Sequence, residues 1–224
     1  MTFPPPSIHA LGDSAVTVRF GDAISGELSD HVLGLARNVG AEGIEGVIEV
    51  VPSYASFSVI FDPLVVRFSE VREHVVSILE PFRFSPRPAR GASPSRVRLP
   101  IRIQVRYDGA DVDEVARRTG MSSEEVIQLH SGREYRVFVL GFVPGFAYLG
   151  PLDDRLELPR REAPRKRVPV GSVAIAGTQT AVYPSSTPGG WHLIGTTAQT
   201  MFDPHADPAA LLEVGDRVIF EPIG

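Results

Sequence analysis

"RVRLPIRIQVRY", Arg96 to Tyr107, alternates without a break: Val97, Leu99, Ile101, Ile103 and Val105 fall on one side, Arg96, Arg98, Arg102, Gln104 and Arg106 on the other. Successive side chains of a strand point to opposite faces, so this spacing predicts a half-buried β-strand. The residues before it have no such period. "FSPRPARGASPSR", Phe84 to Arg96, is a run of Pro, Ser, Gly and Arg, the composition of a connecting segment. Two domains are therefore expected, over residues 1–84 and 96–224, joined by a linker over residues 85–95. A length of 224 residues accommodates one large domain or two small ones.

Upstream of the linker, strand and helix patterns take turns. "AVTVRF" reads as a strand, and Ser25 to Val39 as a helix with Val32, Leu33, Leu35 and Ala36 on its apolar side and Ser29 as its cap. "VIEVVPSYASFSVIFDP" gives two strands around a Pro-Ser turn. "SEVREHVVSILEPF" is a second helix, opened by Ser69 with Glu73 in its first turn. The order β-α-β-β-α predicts a small α+β layer close to a ferredoxin-like half sandwich. His31 and His74 lie inside the helical patterns and have no second ligand three or four residues away, so surface or packing roles are expected.

Downstream, two short helices are expected, one from Asp111 with Glu114 three residues on, one from Ser122 with Glu125 three residues on, closed by Gly120 and Gly132. From Tyr135 the text changes to short strands, "YRVFVLGF", "GSVAIAG", "TAVYP" and "DRVIFEPI", between Gly and Pro clusters. That pattern belongs to a barrel or sandwich.

Composition excludes several kinds of chemistry. With no cysteine there is no disulfide, thiol catalysis or thiolate metal site. A formal charge of −5 argues against nucleic acid as the main partner, although the 24 residues from Arg83 to Arg106 hold seven arginines and no acid. "MTFPPPSIHA" lacks the basic start and apolar run of a signal peptide, and no apolar stretch reaches spanning length. A cytoplasmic protein with no membrane partner is expected.

Standard motifs fail as well. The single lysine, Lys166, is not in a Gly-Lys-Ser/Thr context, so there is no P-loop; G-x-S-x-G is absent; and no histidine pair has metal-ligand spacing, so no metal site is expected. What remains is the second half, where Gly141 to Gly195 holds eight glycines, several beside prolines. Such glycines mark fixed turns or close backbone approach. Arg160, Arg161, Arg165, Lys166 and Arg167 crowd around two Pro-Arg pairs, and guanidinium groups take phosphate or carboxylate in bidentate fashion. Acidic neighbours, Asp153, Asp154, Glu157 and Glu162, leave a solvated basic loop equally open. In "PSSTPGGWHLIGTT", Pro188, Gly189 and Gly190 form a turn beside Trp191, a flat face, and His192, a titratable edge. Either a site wall or a structural corner fits these residues alone.

"GFVPGFAYLG" together with "SSTPGGWHLIGTT", with "GDSAVTVRFGDAIS" near the start and "LLEVGDRVIFEPI" at the end, resembles the family of allophanate hydrolase subunit 1 and of the B subunit of 5-oxoprolinase, to which a sporulation-kinase inhibitor also belongs. The resemblance covers nearly the whole chain. It implies a cyclophilin-like β-barrel after the α+β domain. It also implies one subunit of an ATP-dependent 5-oxoprolinase, which opens 5-oxo-L-proline to L-glutamate, with ATP (and Mg2+) held here or on the partner. Inactivity alone is expected, with a larger homologous subunit and a third, lactam-binding subunit as partners. Carried onto this chain, Arg165 and His192 become catalytic candidates. Arg160 and Arg167 join Gly145, Phe146 and Tyr148 as binding candidates, along with Gln179, Tyr183, Ser186, Pro188, Gly189, Gly190 and Trp191. In the family's closing Ile-Gly-x-Thr segment a cation is usual at x, where this chain has Thr196. Two alternatives stay open: a protein that binds and inhibits a sensor histidine kinase, and a component of an allophanate hydrolase or urea carboxylase-like system. The chain carries neither a separate biotin domain nor an amidase serine-lysine signature, so allophanate hydrolysis by this chain alone is not expected.

Overall fold

A computed structural model describes residues 5–80 and 99–224. The chain divides into two compact units, Met1–Val97 and Arg98–Gly224. The expected linker, residues 85–95, lies outside the described residues, as do Arg96 to Arg98 of the alternating stretch.

The first unit runs β1 (Ser7–Ala10), β2 (Ala15–Arg19), α1 (Gly26–Ala41), β3 (Val47–Pro52), β4 (Ser56–Phe61) and α2 (Phe68–Leu79). Its sheet has the order β1-β2-β4-β3, antiparallel throughout. α1 thus connects β2 to β3 with β4 between them, the split β-α-β of the expected half sandwich. β1 is an addition to the expected elements and pairs along the outer side of β2; it is short and mostly exposed, so no apolar alternation announces it. Val16 and Val18 of β2 and Phe57, Val59 and Phe61 of β4 point inward at period two. They meet Val32, Leu35 and Val39 of α1 and Val71, Val75 and Leu79 of α2 at helical period.

The helix starts differ from expectation. Ser25, not Ser29, caps α1: its hydroxyl accepts from the Leu28 N–H at 3.1 Å, and Ser29 is buried one turn further in. α2 begins at Phe68, and Glu70 rather than Glu73 closes its first turn by accepting the Arg67 N–H at 2.9 Å. His31 packs edge-on against Phe20, while exposed His74 donates from Nδ1 to the Glu70 carbonyl, so both serve packing or surface.

The second unit runs β5 (Ile101–Val105), α3 (Val112–Thr119), α4 (Ser123–Ser131), β6 (Glu134–Leu140), β7 (Ala147–Gly150), β8 (Arg165–Val168), β9 (Ser172–Ala176), β10 (Gln179–Val182), β11 (Thr187–Gly189), β12 (His192–Thr196) and β13 (Arg217–Pro222). Seven strands form one sheet in the order β12-β9-β10-β7-β6-β13-β5. Its ends meet. Arg106, one residue past β5, exchanges both backbone hydrogen bonds with Thr196 of β12, at 2.9 and 2.8 Å, which brings the sheet round into the expected barrel. Ile103 and Val105 face its interior, but Leu99 is 85% exposed because β5 starts only after Pro100. β8 and β11 pair separately as a two-stranded ribbon.

Both helices expected downstream of β5 keep their boundaries. Ser122 and Glu125 form a reciprocal capping box on α4, and Gly120 ends α3 in the left-handed conformation at φ 72°. Within the barrel core His130 is fully buried in a directional chain: the Tyr107 hydroxyl donates to Nδ1, Nε2–H donates to the Thr180 hydroxyl, and that hydroxyl donates to the Ala174 carbonyl. Each polar group has a partner, as burial demands. Among the described residues no helix is long and apolar enough to cross a membrane.

Candidate functional site

The basic run is not a loop. Its centre, Arg165 to Val168, is strand β8, paired in the ribbon with β11 so that Arg165 stands opposite Gly189 and Val168 opposite Thr187. Pairing brings the basic residues and the Pro-Gly-Gly turn together, although about twenty residues separate them in sequence. A second tie comes from Arg161, whose backbone N–H donates to the Gly190 carbonyl at 2.8 Å.

The cations differ in what they are free to do. Arg161 spans Asp111 at 2.9 Å and Glu114 at 2.8 Å, and Arg165 donates to the same Asp111 oxygen at 2.6 Å. Both guanidinium groups are thus engaged with carboxylates, and the remaining Arg165 Nη1 and Arg161 Nε are buried without a partner among the described residues. Arg160, Lys166 and Arg167 are exposed, and Arg167 donates through Nε to the Ser186 hydroxyl at 3.0 Å. Burial pushes the Asp111 carboxyl up, but hydrogen bonds from Arg165 and from the Leu193 N–H outweigh it and hold the group below the usual carboxylate range.

Behind the turn lies an aromatic cluster. Phe146 meets Tyr148 at 4.9 Å, Tyr183 at 5.2 Å and Trp191 at 5.8 Å between ring centroids, all edge-to-face, and Tyr148 meets Trp191 at 5.8 Å. Trp191 is only 5% exposed, so its ring is packed into this cluster and offers no open face. The Trp191 backbone N–H hydrogen-bonds the Tyr183 phenol; burial raises that phenol's pKa against the pull of Arg160 nearby. His192 is fully buried, donating from Nε2 to the Pro159 carbonyl at 3.0 Å, while Nδ1 meets no partner among the described residues. Gly145 holds φ 78° with its α-carbon against Phe202, Gln179 is half-buried at the start of β10, and Pro188 is exposed on β11.

Two residues carry weight that sequence alone assigns to neither. The sequence marks Asp111 only as a helix start; its side chain makes no cap bond and gathers both arginines instead. Phe142 sits at φ 72°, rare for a bulky side chain, with its ring 59% exposed and edge-on to Phe146 at 5.4 Å. The Gly-Phe-x-Pro-Gly-Phe spacing signals a tight turn there, but nothing in it marks which residue takes the left-handed conformation. Among the described residues no group of three His, Asp or Glu stands in a metal-holding arrangement.

Barrel, ribbon and α+β layer define a carboxyltransferase-type domain. The family described as carboxyltransferase domain, subdomain C and D, matches residues 6–212, and the chain belongs to it. It is 41% identical over 223 residues to a Bacillus subtilis protein named as the B subunit of 5-oxoprolinase, covering 95% of this chain and 91% of that one. A Haemophilus influenzae protein of the same name is 36% identical over 220 residues, 96% of each. Among solved structures, TTHA0988 superposes with a TM-score of 0.81 at 37% identity over 94% of this chain; the chain spans only 40% of TTHA0988. The urea amidolyase of K. lactis shares the fold, with a TM-score of 0.78 at 17% identity over 100% of this chain and 15% of that one.

Proposed function

We propose that this chain is the B component of an ATP-dependent 5-oxoprolinase that opens 5-oxo-L-proline to L-glutamate, acting in the cytoplasm with a larger homologous subunit and a third, lactam-binding one. The observation that carries this reading is the 41% identity, across 95% of the chain, to a protein named as the B subunit of 5-oxoprolinase. The ribbon suits the chemistry. A lactam carbonyl is a poor electrophile, and phosphorylation of its oxygen makes it a better target for water; that step calls for cations and backbone N–H groups around phosphate. Lys166 and Arg167 supply exposed positive charge on the short ribbon, and Arg160 is exposed on the segment that leads into it. Mg2+ in this reading arrives on the ATP phosphates, as it does in most phosphoryl-transfer sites. Trp191 and Tyr183 form the packed wall that keeps the Pro188–Gly190 backbone in place.

The catalytic cleft in this proposal is shared, so the chain alone is inactive. The test is 5-oxoproline-dependent ATP hydrolysis by the chain alone, with the larger subunit, and with both partners. Turnover only in the full assembly is expected. Turnover by the chain alone overturns the shared cleft, and none in any combination overturns the 5-oxoprolinase reading.

A further inference from the structure

Asp111 occupies the N-cap position of α3, where an aspartate ordinarily accepts a helix N–H, yet its carboxylate makes no such bond. Both oxygens are committed elsewhere. Oδ1 takes Arg161 and Arg165, and Oδ2 takes the Leu193 N–H at 2.7 Å, with the side chain only 3% exposed. The two arginines collected there are the same two whose backbones hold the Pro-Gly-Gly turn: Arg165 faces Gly189 across the ribbon, and Arg161 donates to the Gly190 carbonyl. One buried carboxylate therefore ties α3, the ribbon and β12 together. The balance of charge points the same way. Arg161 and Arg165 are offset by Asp111 and Glu114, which leaves Arg160, Lys166 and Arg167 as the outward cations.

We infer that Asp111 is a positioning residue of the basic ribbon, fixing where its exposed cations and the Pro188–Gly190 backbone stand while touching no anion itself. The inference rests on the reading of the ribbon as an anion-receiving surface. A group that orients the contacts of a ligand changes affinity without changing the number of charges that meet it, whereas a contacting cation changes both.

The test is titration of the full-length chain with inorganic pyrophosphate by calorimetry at several salt concentrations, comparing wild type with Asp111→Asn, Asp111→Glu and Arg167→Gln. Asp111→Asn also uncovers positive charge on Arg161 and Arg165, so its affinity is compared at high salt, where that attraction is screened; there it is expected to weaken binding about tenfold, the size of effect typical of an orienting group. Asp111→Glu restores part of that loss, and Arg167→Gln flattens the salt dependence. In the assembled complex the same Asp111→Asn change raises KM for ATP more than it lowers kcat. If Asp111→Asn unfolds the chain, Arg165→Lys loosens the same tie from the other side with charge kept, and the same loss is expected. Wild-type affinity at high salt in Asp111→Asn or Arg165→Lys overturns the inference alone. Absence of pyrophosphate binding by the wild-type chain overturns the anion-receiving reading, and the inference with it.

Discussion

A Cβ at position 189 would stand 2.3 Å from the phenol oxygen of Tyr183, so Gly189 and Tyr183 fit only as a pair. The tyrosine cannot swing aside, because its ring is buried against Phe146 and its oxygen accepts the Trp191 N–H. Gly189→Ala is expected to destabilise the chain by ~1–3 kcal/mol, the usual cost of overpacking a filled site. Adding Tyr183→Phe, which removes the oxygen, should recover part of the loss. Thermal unfolding of wild type, the single and the double variant checks this.

Burial pushes the His130 imidazole down to about 3 from an ordinary 6.5. In the folded chain it stays neutral where the unfolded chain would take a proton, so its contribution to stability is full above the unfolded value and is lost as pH falls towards the folded one. Stability should fall by up to about 1.4 kcal/mol per pH unit in that window on account of this one group. His130→Gln is expected to lower stability at neutral pH and to flatten the slope. Urea unfolding at about pH 5 and about pH 7 measures it.

Trp191 is the chain's single tryptophan and is 5% exposed. Its fluorescence should be blue-shifted and resistant to quenching by iodide in the native protein. Because its ring touches Phe146 and Tyr148, Phe146→Ala opens a cavity of aromatic size beside it, with an expected cost of about 3–5 kcal/mol and a red-shifted native spectrum.

Phe142 holds a left-handed backbone that asparagine adopts with less strain. Phe142→Asn should leave thermal stability equal or higher, by up to about 1 kcal/mol, since the side chain is 59% exposed and the strain relieved offsets the lost edge contact to Phe146. Differential scanning calorimetry of wild type and variant checks this.

What the sequence made legible were features encoded locally. Ser122 with Glu125, Gly120, and the alternation of Ile101, Ile103 and Val105 each act within a few residues, and each stands where it is expected. The errors share a cause. Ser29 and Ser69 have the right chemistry to cap a helix, but each helix starts earlier, where Ser25 accepts the Leu28 N–H and Glu70 reaches back to the Arg67 N–H. Strands β8 and β11 escape notice because they are short and made of charge or of Gly and Pro, and β7 and β12 because four or five residues beside Gly-Pro turns show no clear alternation; distant partners complete their ladders. For the same reason Asp111 looks like a helix start, since its real partners lie 50, 54 and 82 residues away.

The seam of the barrel has an unusual last rung. From the Arg106–Thr196 exchange the closing segment runs on beside β12: the Gly109 N–H donates to the Ile194 carbonyl and the Asp111 N–H to the Leu193 carbonyl. A ladder would next call for a backbone carbonyl to receive the Leu193 N–H; here that acceptor is the Asp111 carboxylate. A titratable atom therefore fastens the sheet edge from which Trp191 and His192 emerge. Because interactions hold that carboxyl below its usual range, the fastening persists into mild acid and gives way only as pH falls through the lowered value. The Leu193 amide should then be the first in β12 to lose protection from hydrogen exchange, so the barrel unbuttons from the end nearest the basic ribbon.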